Sequence, residues 1–163
     1  MAESSRRAAK APDRGGLANA LFVVAAAERP PAELLEIADT LTVTFPWGSL
    51  LRGALALDEA AATGIAALLA PRGRLVVTAS VTDRDAGGDL PRLDNPDAAV
   101  SVATRWECLG LCVDEFREAT PAEIRATGST WARRLGVGRG DRRAWRAVLR
   151  RAGDAGDAVS GRR

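Results

Sequence analysis

The sequence predicts an α/β domain built on a mostly parallel sheet. Two observations carry this expectation. Apolar, strand-like runs alternate with helical stretches along the chain, the pattern that places helices against a sheet. The last two strand-like runs are separated only by short helical pieces, which points to an antiparallel, hairpin-like ending. A length of 163 residues suits one domain.

The elements follow in chain order. Residues 2–10 read as a short surface helix, and Pro12 to Gly16 as a loop. Leu21-Phe22-Val23-Val24-Ala25-Ala26 is a compact apolar run, expected to form a buried parallel strand. Pro30 and Pro31 open a short helical turn with Glu33 in its first turn. Asp39 to Phe45 alternates and is rich in Thr and Val, so a strand is predicted, stopped by Pro46 and Gly48. Ser49 is expected to cap a helix running to Leu57. A second helix is predicted from about Asp58 to Ala70 and a strand over Arg74 to Ser80, with Pro71 and Gly73 between them. Asp83 to Pro96, rich in Asp, Gly and Pro, reads as loop. A helix over residues 97–108 is expected to pack through Ala99, Val100 and Ala103. Leu111 to Arg117 reads as a strand. Thr120-Pro121-Ala122-Glu123 has the form of an N-cap, Pro at the first helical position and Glu at the third. A short helix starts near Ser129, Arg142 to Arg150 is a last strand, and residues 152–163 form a frayed basic tail beyond a single domain over 1–151.

Composition excludes several classes. No apolar run approaches the roughly 20 residues needed to span a bilayer. Residues 1–10 hold no apolar core of a secretory signal. These two readings favour a cytoplasmic protein. There is no histidine, which argues against Ser-His-Asp hydrolysis and most His-metal chemistry. The two cysteines, Cys108 and Cys112, read as small buried apolar side chains, and no metal is expected.

Charge is unevenly spread. Residues 125–163 carry 11 arginines against three acidic residues, a net +8, while the remainder carries 12 basic and 18 acidic residues, a net −6. A concentrated cation on an acidic body is the footprint of a polyanion binder. Trp47 sits in Phe45-Pro46-Trp47-Gly48-Ser49, at a strand end, and Trp131 in Thr130-Trp131-Ala132-Arg133-Arg134. Each alone could be a packing residue. Together, flat rings beside paired arginines suit an unstacked base held near a phosphate backbone. Trp106 and Trp145 are assigned to the core.

Four stretches in order resemble one known family: Gly16-Leu17-Ala18-Asn19, Phe22-Val23-Val24-Ala25-Ala26-Ala27-Glu28, Phe45-Pro46-Trp47-Gly48-Ser49-Leu50-Leu51-Arg52-Gly53 and Thr130-Trp131-Ala132-Arg133-Arg134-Leu135. The chain resembles the 16S ribosomal RNA adenine-N1 methyltransferases that confer aminoglycoside resistance, the Kam/Npm group, from about Ser5 to Arg151. The resemblance implies a class I, Rossmann-like fold that uses S-adenosylmethionine, ending in an antiparallel strand pair. It implies 16S rRNA in the assembled small ribosomal subunit as partner, with the enzyme a monomer. By position, Ala26, Ala27 and Glu28 would lie beside the adenosine end of the cofactor. Trp47 and Trp131 would sandwich the flipped adenine. Ser49 and Ser129 would be hydroxyls near the base and methyl donor, and Arg133, Arg134 and Arg139 would contact rRNA phosphates.

The sequence departs from the family in one respect. No Asp-x-Gly-x-Gly-type loop follows an early strand, and no acidic residue closes a second one. The expectation is a chain matching the C-terminal two-thirds of the domain, lacking its first two strands. Leu21–Ala26 would then be separated from Leu41–Phe45 by the missing strands, and would either collapse directly onto it or be poorly ordered. A non-catalytic rRNA-binding protein, or a methyltransferase with another substrate, stays open at this point.

Overall fold

The structure, a computed structural model, describes residues 12–82, 90–134, 136–137 and 142–153. The expected helix over 2–10, the first half of the expected loop over 83–96 and nearly all of the basic tail lie outside the described residues.

Among the described residues four strands form one sheet: β1 (Ala38–Thr44), β2 (Leu69–Ala79), β3 (Leu111–Glu118) and β4 (Trp145–Arg151), in the spatial order β1-β2-β4-β3. β1 and β2 are parallel, and β4 runs antiparallel to both β2 and β3. The mixed α/β architecture and its antiparallel ending are as expected, but the sheet is not mostly parallel: among the described residues only the β1–β2 pair is parallel, because β4 enters between β2 and β3 running against both. Among the described residues five α-helices accompany the sheet: α1 (Gly48–Ala54), α2 (Glu59–Ala67), α3 (Pro96–Glu107), α4 (Pro121–Ala126) and α5 (Thr130–Arg134). None of the described helices is long and apolar enough to cross a membrane.

Alternation decides which sheet face is buried. Leu75 lies between Leu41 and Leu149 in register, and Val77 between Val43 and Ala147. These side chains share one face, where Leu51, Ile65, Val102 and Trp106 of α1, α2 and α3 join the same core cluster. Trp106 is fully buried, as expected. Trp145 is half-buried and stacks on Phe116 at 5.9 Å between ring centroids.

Two local expectations hold. The second helix starts at Asp58 as expected, and the structure adds that its carboxylate accepts from the Ala61 N–H at 3.1 Å. Thr120 and Glu123 form a reciprocal capping box at α4. Arg117 also clasps Glu123 through two hydrogen bonds of 2.9 and 2.7 Å.

Others are corrected. Leu21–Ala26 is not a strand; it is irregular, with Leu21 and Val24 more than 80% exposed. Among the described residues β1 pairs only with β2, so the segment has no ladder to join. The helix expected to reach Ala70 stops at Ala67, and β2 begins at Leu69. Pro71 and Gly73 lie inside β2, where the register with β1 jumps between Ala38 and Thr40. A bulge tolerates a proline that a regular ladder would not. α3 packs through Ala98, Val102 and Trp106, while Val100 is exposed, because the large Trp106 ring sets which stripe faces inward. Cys108 and Cys112 are exposed: the first follows the end of α3, and the second alternates with buried Leu111 on β3.

Candidate functional site

The carboxyl ends of parallel strands are where open α/β sheets bind ligands. β1 ends at Thr44 and turns sharply: Phe45 has φ +47° and Gly48 φ +59°. The Phe45 N–H donates to Thr78 O at 2.7 Å, tying this turn to β2. Phe45 is held by burial among Ala119, Ala132, Val137 and Ala144, a second small apolar cluster separate from the main core. Its neighbour in sequence, Trp47, is thrown outward and is 78% exposed. Trp47 also stands at the N-cap position of α1, so Ser49 lies inside the helix and not at its cap. The reason is that Gly48 supplies the left-handed turn and the helix starts immediately.

The same apolar cluster fastens α5. Ala132 is buried in it beside Phe45, while the adjacent Trp131 is 45% exposed. Ser129 Oγ accepts from the Ala132 N–H at 3.1 Å and so shapes the start of this short helix. One cluster thus anchors both segments from which the two exposed indoles project. Arg133 and Arg134 follow on α5, both exposed. Arg139 lies outside the described residues.

A cavity of about 410 Å³ opens beside α1. It brings together Ala26, Ala27, Glu28 and Ser49, with Val23, Leu34, Leu50 and Leu68 adding apolar wall. The residues Ala26–Arg29 make a tight turn, closed by the Arg29 N–H donating to Ala26 O at 3.1 Å. α2 supports this turn from behind, and the support needs a glycine. A Cβ on Gly64 would come within 1.8 Å of Ala27 O. Size and lining suit a nucleoside: apolar walls take a flat ring, and one carboxylate accepts from hydroxyl or amino groups. The residues present therefore fit the adenosine portion of an S-adenosylmethionine.

A second cavity, of about 490 Å³, lies between α4 and α5 and includes Ser129, Arg125 and Arg133. Of the site residues expected from sequence, then, four meet at the first cavity and two at the second. Trp47 and Trp131 belong to neither lining. Gly64 and Arg125 were missed. An isolated glycine within an alanine-rich helix was the available signal for the first; Arg125 had none beyond the local charge.

A family of 16S rRNA (adenine(1408)-N(1))-methyltransferases, named for NpmA, matches residues 1–149. An rRNA methyltransferase of Saccharopolyspora hirsuta is 34% identical over 140 residues, covering 83% of this chain and 89% of that protein. A 16S rRNA (adenine(1408)-N(1))-methyltransferase of Escherichia coli is 28% identical over 141 residues. The match covers 83% of this chain but spans 64% of that relative. Among solved structures, a variant of the 16S rRNA (adenine(1408)-N(1))-methyltransferase from Catenulisporales acidiphilia with cosubstrate SAM superimposes with a TM-score of 0.78. It is 31% identical, and the match covers 98% of this chain and 73% of that one.

Proposed function

The chain belongs to the 16S rRNA (adenine(1408)-N(1))-methyltransferase family, and from that premise we propose that it transfers a methyl group to N1 of the decoding-site adenine in 16S rRNA. The acceptor is the rRNA of the assembled small ribosomal subunit, the setting is the cytoplasm, and the consequence is aminoglycoside resistance. The observation that carries the reading is the pair of exposed indoles, Trp47 and Trp131, projecting from segments pinned by the single Phe45–Ala132 cluster.

The chemistry asks little of acids and bases. When bound, S-adenosylmethionine supplies a methyl group already activated by its sulfonium. The N1 lone pair forms the new N–C bond as the S–C bond breaks, so no proton need move and the absence of histidine is no obstacle. The protein must extrude the adenine and aim N1. Stacking contributes roughly 1–3 kcal/mol per aromatic contact, enough for two rings to offset the few kcal/mol of base flipping. N1 gains positive charge as it is alkylated, and an indole face stabilises an adjacent cation. Ala26, Ala27 and Glu28 would hold the adenosine moiety, with Ser49 lining the same cavity. Ser129 would contribute its hydroxyl, and Arg133, Arg134 and Arg139 would grip phosphates. Arg133 and Arg134 are available for this, since neither has a side-chain hydrogen bond or ion pair among the described residues.

Methyl transfer is tested by incubating the chain with methyl-labelled S-adenosylmethionine and small ribosomal subunits. Label at N1 of the decoding-site adenine is expected, and its absence refutes the enzymatic reading. A second reading, rRNA binding without methyl transfer, is favoured by the exposed Arg133 and Arg134 on α5. Subunit binding without incorporation would select it.

A further inference from the structure

The cavity between α4 and α5 shares no lining residue with the adenosine cavity and includes neither exposed indole. Its floor is apolar, formed by Ile124, Ala132 and Val137. Arg125 and Arg133 stand at its wall, and neither guanidinium has a partner among the described residues. Two unneutralised cations on one concave surface repel each other and favour an anion between them. Its volume of about 490 Å³ is in the range of small-molecule sites. Gly128 and Gly136 border it with φ of +63° and +65°, and a Cβ at either would meet nothing within 4 Å. The mouth is therefore open where a ligand would pass close to backbone.

Helical spacing sets this cavity against the indole. At about 100° per residue, Ser129, Ala132 and Arg133 share the cavity side of α5, whereas Trp131 and Arg134 fall on the opposite side. We propose that the α4–α5 cavity is a second nucleotide subsite, which takes a ribonucleotide flanking the target adenine. Its sugar rests on the apolar floor and its phosphate lies between Arg125 and Arg133. Ser129 Oγ already accepts from the Ala132 N–H, so its own proton is free to donate to a ribose oxygen. The subsite rests on the RNA reading above. It makes α5 a wedge, with the extruded base on one side and its strand neighbour on the other.

The probe is adenosine 5′-monophosphate, titrated into the full chain and followed by amide NMR, with inorganic phosphate as a parallel arm. The nucleotide should shift the Gly128, Ser129 and Gly136 amides, and phosphate alone should do so more weakly. The R125Q/R133Q variant should lose these shifts while keeping its circular dichroism, and R134A should keep them. In binding to an RNA hairpin of the decoding region, the double variant should show a log K against log salt slope shallower by about two contacts. Absence of nucleotide shifts at these amides, or their persistence in the double variant, overturns the subsite. An unchanged salt slope in the double variant, with binding still weakened by R134A, also overturns it but leaves the RNA reading standing. No RNA binding by the unaltered chain overturns both.

Discussion

Gly64→Ala probes the back wall of the adenosine cavity. Gly64 is buried in α2, and the added methyl would stand 1.8 Å from Ala27 O, 3.0 Å from Ala27 C and 3.2 Å from Pro30 Cδ. Ordinary contact begins near 3.4 Å, so the carbonyl must retreat by about 1.6 Å. Two effects oppose each other. Alanine favours the helix over glycine by about 1 kcal/mol, while overpacking costs about 1–3 kcal/mol. The net expectation is a destabilisation of roughly zero to 2 kcal/mol, measured by urea unfolding. Function should suffer more than stability. Ala27 and Glu28 line the cofactor cavity, and a displacement of about 1 Å can cost on the order of 100-fold in rate. Amide NMR checks the structural step: resonances of residues 26–29 should move, and the Arg29 N–H should exchange faster as its bond to Ala26 O is strained. Unmoved resonances together with unchanged methyl transfer would refute the claim that α2 positions this turn.

Trp47→Ala and Trp131→Ala should each leave stability within about 0.5 kcal/mol, because both rings are exposed, yet lower methyl incorporation roughly 5- to 150-fold through lost stacking; equal loss of stability and activity would contradict the clamp. Trp106→Ala removes a fully buried ring and should cost about 3–5 kcal/mol, seen as a lower urea midpoint or failure to fold. Thr120→Ala should cost about 1 kcal/mol through loss of the α4 cap, again by urea unfolding. The Arg117 guanidinium beside Glu123, with Thr120 adding hydrogen bonds, holds that carboxyl well below its ordinary 4.5. A depressed folded-state value means the contribution is fully present above pH 4.5 and fades as pH falls below it. Glu123→Gln should flatten the acid limb of the stability profile, and an unchanged limb would rule this carboxylate out as its source.

Local chemistry in the sequence determined much of this protein. The start of α2 at Asp58, the Thr120–Glu123 box and the alternation over Ala38–Thr44 were readable in advance, because each depends on neighbours in the chain. The antiparallel pairing of the last two strands was also expected, although α4 and α5 lie between them. The motif around Trp47 and the arginines after Trp131 likewise pointed to a base and a polyanion. What needed the tertiary structure was everything that depends on which surfaces meet. Leu21–Ala26 has strand composition, but a strand exists only with a partner to bond, and none of the described residues supplies one. The α3 stripe was misassigned because the sheet selects the face that accommodates Trp106. Gly64 is only an isolated helical glycine in the sequence, and the fold alone sets Ala27 O against it. The two indoles are more than 80 positions apart in sequence, and no periodicity could say that Phe45 and Ala132 close one cluster between their segments. Backbone preference is a property of a few adjacent residues, whereas burial and cavity shape belong to contacts between distant ones.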